Sequence, residues 1–84
     1  MNIKANIYIS LKSNVSDPQG ATIAQGLNQL GFQGVGSVRA GKYIEVTISA
    51  PSTEQAENIV KKMCADLLCN PIIEDYKFDL HIIN

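Results

Sequence analysis

Between Ile3 and Leu11 every odd position is apolar (Ile3, Ala5, Ile7, Ile9, Leu11), while Lys4, Asn6, Tyr8 and Ser10 occupy the even ones. A period of two places the first set on one side of an extended chain, so the segment predicts a strand with one buried face. The period then changes. After the loop Ser13-Asn14-Val15-Ser16 comes Asp17-Pro18, an N-cap acceptor followed by a residue suited to the first helical position, where an N–H would have no partner within the helix. Ile23, Ala24, Leu27 and Leu30 recur at helical spacing, and Gly31 supplies a left-handed stop with Phe32 folding back on the last turn.

Gly34, Gly36 and Gly41 bracket an expected short second strand around Val35 to Arg39, and Lys42 to Ala50 reads as a third, with Ile44, Val46 and Ile48 on one face and the hairpin turn at Gly41. Pro51 ends that ladder, and Ser52 with Gln55 forms a capping-box pattern ahead of Ala56, Ile59, Val60, Met63, Cys64, Leu67 and Leu68, a second amphipathic helix. Asn70-Pro71 stops it. A closing strand carries Tyr76, Phe78, Leu80 and Ile82 on one face and Asp75, Lys77, Asp79 and His81 on the other. The expected order is β-α-β-β-α-β, an α+β two-layer sandwich of ferredoxin-like order. It would have a four-stranded antiparallel sheet and two helices on one face, in a single domain over residues 1–84.

Length constrains stability. A chain of 84 residues hides only about 60–65% of its unfolded surface, and a core of this size rarely supplies more than about 3–5 kcal/mol, so a staple or association with other chains is expected. The two cysteines, Cys64 and Cys69, fall on different sides of a regular helix and would not bridge each other there. Neither their spacing nor the lone His81 makes a metal-ligand set, and no cofactor is expected in this chain. Free thiols suit a reducing compartment. Seven Lys or Arg against eight Asp or Glu give no basic field for phosphate backbones, and the chain supplies neither stacked aromatics nor a basic face for RNA, so no nucleic-acid partner is expected. No apolar run approaches the roughly 20 residues of a membrane span. A cytoplasmic protein is expected.

Candidate chemistry is sparse. Asp17, Pro18, Gln19 and Gly20 open a helix whose free amides could bind an anion, although the Asp17 carboxylate would cap them and repel one. Gly20 and Gly26 each cost about 1 kcal/mol relative to Ala in a helix interior, so packing must hold this helix, and Gly26 either is simply tolerated or admits a second backbone. Arg39 and Lys42 flank Gly41 and stand beside Tyr43, as a solvated loop or as a docking point of the composition that anchors interfaces. Glu74, in the apolar row with Tyr76, either sits at the sheet rim or meets a cation such as Arg39. Glu74 and Asp75 point to opposite faces of a strand and cannot act as an acid–base pair. His81 reads as exposed surface. Tyr8, Tyr43 and Ile73 among polar neighbours give the outer sheet face the look of a wet protein interface.

The first strand into Leu11-Lys12, Asp17-Pro18-Gln19-Gly20, Leu30-Gly31-Phe32, Val38-Arg39 with Gly41-Lys42-Tyr43-Ile44, and Cys64 to Leu68 leading into Asn70-Pro71-Ile72-Ile73-Glu74-Asp75-Tyr76 together resemble the PurS family, the small subunit of bacterial phosphoribosylformylglycinamidine synthase. The resemblance spans nearly the whole chain. It implies a non-catalytic subunit of purine biosynthesis that forms a homodimer or homotetramer and bridges a large synthetase subunit and a glutaminase subunit, supporting ammonia transfer. ATP and glutamine would be used by those partners. Asp17, Pro18, Gln19, Gly20, Arg39, Gly41, Lys42, Tyr43, Glu74 and Tyr76 are the candidate docking residues. The rival expectation is a dimeric regulatory module that binds an amino acid or another small ligand, since this element order hosts both functions.

Overall fold

The computed structural model describes all residues, Met1–Asn84. Its elements are β1 (Asn2–Leu11), α1 (Pro18–Gln29), β2 (Gly41–Ser49), α2 (Thr53–Met63), which continues into a π-helical turn (Cys64–Leu68), and β3 (Glu74–Ile82). β1 is the centre of a three-stranded sheet of order β2-β1-β3, antiparallel on both sides. Its alternation is realised directly. Ile3, Ala5, Ile7 and Ile9 are buried on the inner face, where they meet Ala56, Val60 and Cys64 along α2 and its π turn.

The fourth strand expected around Val35 to Arg39 does not form, and the sheet has three strands rather than four. Both sides of β1 are already taken by β2 and β3, so a further strand could pair only at an outer edge. The segment and its flanks are instead tied to the start of α1. Gly34 has φ +81°, the Val38 carbonyl lies against Gly20, and the Ala40 N–H donates to Asp17 Oδ2 at 2.7 Å. Gly41 is correspondingly not a hairpin turn but the first residue of β2, paired with Ser10. Its missing side chain matters, because a Cβ there would lie 2.6 Å from the Ile9 carbonyl oxygen.

The expectation of two helices on one face is also corrected. Only α2 covers the sheet. Gly20 is the only buried residue of α1, while Ile23, Leu30 and Phe32 are exposed, Leu30 at 77%. The α1 ends themselves follow the sequence. Asp17 caps the start, and at the finish Phe32 N–H donates to Leu27 O and Gly31 N–H to Asn28 O, a Schellman stop around Gly31 at φ +91°. The Phe32 ring nevertheless stays in solvent. With α1 standing away from the sheet the molecule measures 51 × 28 × 15 Å, and its radius of gyration is 16.5 Å, against about 12 Å for a compact chain of this length.

Gly20→Ala would bring a Cβ to 2.1 Å from the Val38 carbonyl oxygen and is expected to destabilise by about 1–3 kcal/mol in urea unfolding. Gly26→Ala meets open space in the single chain and should stabilise by up to about 1 kcal/mol. A loss of stability at Gly26 would instead report a second backbone packed there.

Candidate partner-docking surface

The C-terminal end of β1 and the N-terminal ends of β2 and β3 meet at one end of the sheet, and the candidate residues gather there. Asp17 holds the junction. Its Oδ1 accepts from Gly20 N–H at 2.8 Å and its Oδ2 from Ala40 N–H, so one carboxylate ties the start of α1 to the residue before β2. The Gly20 amide, then that of Ala40, holds the Asp17 carboxyl below its ordinary value of 3.8, with the Arg39 charge contributing. Both oxygens are thus occupied by backbone amides, and the helix start is capped rather than open to an anion.

Arg39 does not meet Glu74. Its guanidinium donates to the carbonyls of Lys12 at 3.0 Å and Val15 at 2.8 Å, fastening the turn that follows β1. Lys12 Nζ reaches Asp75 at 2.7 Å. The cation at Glu74 is Lys42, 3.5 Å away. The Glu74 carboxylate also accepts from Asn70 N–H at 2.7 Å, within a turn in which Asn70 Oδ1 accepts from Ile72 N–H at 3.1 Å. Asp17, Gly20, Arg39 and Gly41 therefore form the frame of this end. Pro18 and Gln19 are exposed on the first turn of α1.

Strand alternation divides the remaining candidates between two faces. Lys42, Glu74 and Tyr76 lie in the inner row, where Tyr76 stacks near Phe78 with centroids 6.3 Å apart. Tyr43 lies on the outer face opposite Tyr8, their rings stacked at 5.2 Å, with Lys77 Nζ 5.7 Å from the Tyr8 centroid. The sequence places both tyrosines on this face, and the register adds that they stand opposite each other and stack. The pair lines an open hollow of about 550 Å³ with Ser10, Asp75 and Lys77, and the surrounding charges are mixed. A chain of hydrogen bonds crosses the three strands. Asn6 Nδ2 donates to Asp79 Oδ1 at 2.8 Å, and the single Tyr43 hydroxyl proton is shared between Asn6 Oδ1 at 2.7 Å and Glu45 Oε1 at 2.8 Å. The hydrogen bond to Glu45, then burial and the Glu45 charge, pushes the Tyr43 hydroxyl from 10.0 up to about 12. The same bond, aided by Lys4, lowers Glu45. His81 is exposed beside Asp79.

Sequence reasoning missed a second open surface, an apolar groove between β2 and α2 lined by Val46, Ile59, Met63, Leu67 and Leu68. Helical spacing puts Leu67 and Leu68 on one apolar side, and nothing in the pattern marks that Leu67 is left 84% exposed. No group of three or more His, Cys, Asp or Glu is arranged to hold a metal, and no helix is long and apolar enough to cross a membrane.

A hydrogen-bonded frame at one sheet end, set between an aromatic outer hollow and an incompletely covered inner face, defines a small α+β module with a candidate docking surface. The family model for PurS, phosphoribosylformylglycinamidine (FGAM) synthase, matches residues 4–81, and the chain belongs to the PurS family. It is 46% identical to the phosphoribosylformylglycinamidine synthase subunit PurS of Synechocystis sp. over 88% of this chain and 74% of that one. With the Bacillus subtilis subunit it shares 42% identity over 92% and 90%. The crystal structure of Methanocaldococcus jannaschii PurS superposes with a TM-score of 0.87 at 39% identity, covering 98% and 99% of the two chains. A chain from the structure of PurLQS from Thermotoga maritima gives 0.89 at 37%, covering 96% and 99%. The alternative of an amino-acid-sensing module is not favoured by these relationships.

The hydrogen bonding at Tyr43 fixes a pH dependence. Because its folded pKa lies above the unfolded value, the unfolded chain loses the phenolic proton first, and stability falls as pH rises from about 10 towards about 12. Tyr43→Phe should flatten that limb in denaturation curves. Asp17 has the opposite sign, lowered in the fold, so its contribution is full above the ordinary carboxylate range and is lost on acidification. Asp17→Asn should therefore reduce the acid dependence of unfolding.

Proposed function

We propose that this chain acts as a self-associating, non-catalytic bridge between the synthetase and glutaminase subunits of phosphoribosylformylglycinamidine synthase, in the cytoplasm, supporting ammonia transfer from one to the other. Its place as a PurS subunit of that synthase in purine biosynthesis follows from the family relationship. The observation that carries the bridging role is its match along nearly its whole length to a chain of PurLQS. ATP and glutamine are consumed by the partner subunits in this reading.

Self-association as a dimer or tetramer is supported by the extended shape of the single chain. The apolar side of α1, with Ile23, Leu30 and Phe32 in solvent, is a natural cover for another copy's half-buried inner row, where Ile44, Val46 and Phe78 lie beside α2. Lys42, Tyr43, Glu74 and Tyr76 then supply docking side chains around the frame built by Asp17, Gly20, Arg39 and Gly41, with Pro18 and Gln19 at its edge.

Sedimentation of the wild-type protein should give a dimeric or tetrameric mass, and Ile23→Asp combined with Leu30→Asp should shift it to the single-chain mass. An unchanged mass would refute the α1 interface. In reconstitution with both catalytic subunits, glutamine-dependent turnover should require this chain, and Lys42→Glu with Tyr43→Ala should weaken co-elution by about tenfold or more. Full turnover in its absence would overturn the bridging role. Arg39 is unsuited to such a test, because its loss would release the Lys12–Val15 turn.

A further inference from the structure

The docking role leaves the two cysteines unused. On a regular helix, residues five apart diverge, but here α2 widens into the π-helical turn Cys64–Leu68, and the Cys69 amide donates to the Cys64 carbonyl at 3.0 Å. That bond limits their separation. With standard backbone dimensions on either side of it, the two Cα atoms lie within about 7 Å, a ceiling reached only if the linking atoms were collinear. Disulfides usually span Cα distances of about 4.4–6.8 Å. Both side chains enter the same apolar cluster with Ile9 and Val60, and both are free thiols. Cys64 is fully enclosed, whereas Cys69 is 7% exposed and borders a shallow hollow with Lys12, Pro71 and Glu74.

We propose that Cys64 and Cys69 close a reversible intrachain disulfide when the protein meets a small oxidant of the peroxide class. Cys69, the sulfur with an opening to solvent, attacks one peroxide oxygen. The O–O bond breaks, a sulfenic acid forms on Cys69, and the departing hydroxide leaves as water with the thiol proton. Cys64 then attacks the Cys69 sulfur, the S–S bond forms as the S–O bond breaks, and a second water departs with the Cys64 proton. The two sulfurs together give up two electrons, and one hydrogen peroxide becomes two waters. Burial raises both thiols above their ordinary value, with Cys69 adding to the shift at Cys64, and with Glu74 and Asp75 adding to that at Cys69 against the opposing charges of Lys12 and Lys42. Thiolate is therefore scarce at neutral pH, and closure accelerates as pH rises. The product fastens the end of α2 to the turn that carries Glu74.

The test uses the full chain treated with hydrogen peroxide at neutral and mildly alkaline pH, then unfolded, alkylated and weighed. Trypsin releases both cysteines in one fragment, Met63–Lys77. The expected result is a fragment lighter by two hydrogens that resists alkylation, forms faster at the higher pH, reverts with dithiothreitol and involves no cross-link between chains. Dimedone, which traps sulfenic acid, should label Cys69 in a Cys64→Ala variant and leave the wild type largely unlabelled. Two thiols still open to alkylation after prolonged oxidation, a sulfinic acid on Cys69 as the main product, or a cross-link between chains would each overturn the proposal. So would equal dimedone labelling of wild type and variant.

Discussion

The inner face of β1 is the constraint on which the rest of the molecule depends. It is the only strand with neighbours on both sides, and Ile3, Ala5, Ile7 and Ile9 are its contribution to the core. Neighbouring strands lie about 4.8 Å apart, so three of them make a sheet about 15 Å across, whereas a helix with its side chains is about 10 Å wide. One helix can therefore seal the central strand and not the flanks. α2 does this through Ala56, Val60 and Cys64, and the inward residues of β2 and β3 remain only partly buried. Shifting the register of β1 by one residue would turn Lys4, Asn6 and Tyr8 towards that helix, so the strand admits one pairing.

The uncovered flanks and the detached α1 are two sides of one shortage. A single chain of this length has little apolar surface to hide, and here an apolar helix face and two strips of sheet are left without each other. Asp17 enforces this arrangement. By joining Gly20 N–H to Ala40 N–H, it pins the first turn of α1 beside the start of β2, and the rest of the helix projects from that point. The glycine is required because the Val38 carbonyl passes where a side chain would stand. Local chemistry thus fixes where α1 begins, while its apolar side finds no cover within the single chain.

Periodicity made most of this legible. The alternation of Ile3 to Leu11, the Asp17-Pro18 cap, the Gly31 stop and the Ser52 cap of α2, where Ser52 accepts from Gln55 N–H, all hold in the structure. The failures have a common physical origin in long-range contacts. Val35 to Arg39 carries one glycine, Gly36, among β-compatible residues, but the ties that hold this stretch, Ala40 to Asp17 and Arg39 to the Lys12–Val15 turn, join residues distant in sequence, which no local pattern records. Helical spacing correctly marked Ile23, Leu27 and Leu30 as an apolar side, yet spacing says nothing about which surface such a side meets. The structure brings the docking candidates together at one end of the sheet, a placement that follows from strand register and not from any local pattern. Their division into frame and exposed side chains required coordinates, because Arg39 and Lys42 look alike in sequence and differ only in what they reach. The π turn was hidden for the same reason, since its residues are compatible with an ordinary helix.

The outer face combines exposure with internal satisfaction. Asn6, Tyr43, Glu45 and Asp79 have already found one another, and no buried side-chain polar atom lacks a partner. A partner that covers this face therefore meets groups whose hydrogen bonds need not be broken, whereas covering unpaired charges would carry a desolvation cost that a small contact seldom recovers. At the margin of the network Lys4 pairs with Glu45 and Asp75 with Lys12, so the charges there are matched as well. The stacked Tyr8 and Tyr43 rings contribute apolar area that is already ordered before contact, so little side-chain freedom is lost on docking. Pre-organisation of this kind lets a chain too small for a large core still present a defined surface to a larger assembly.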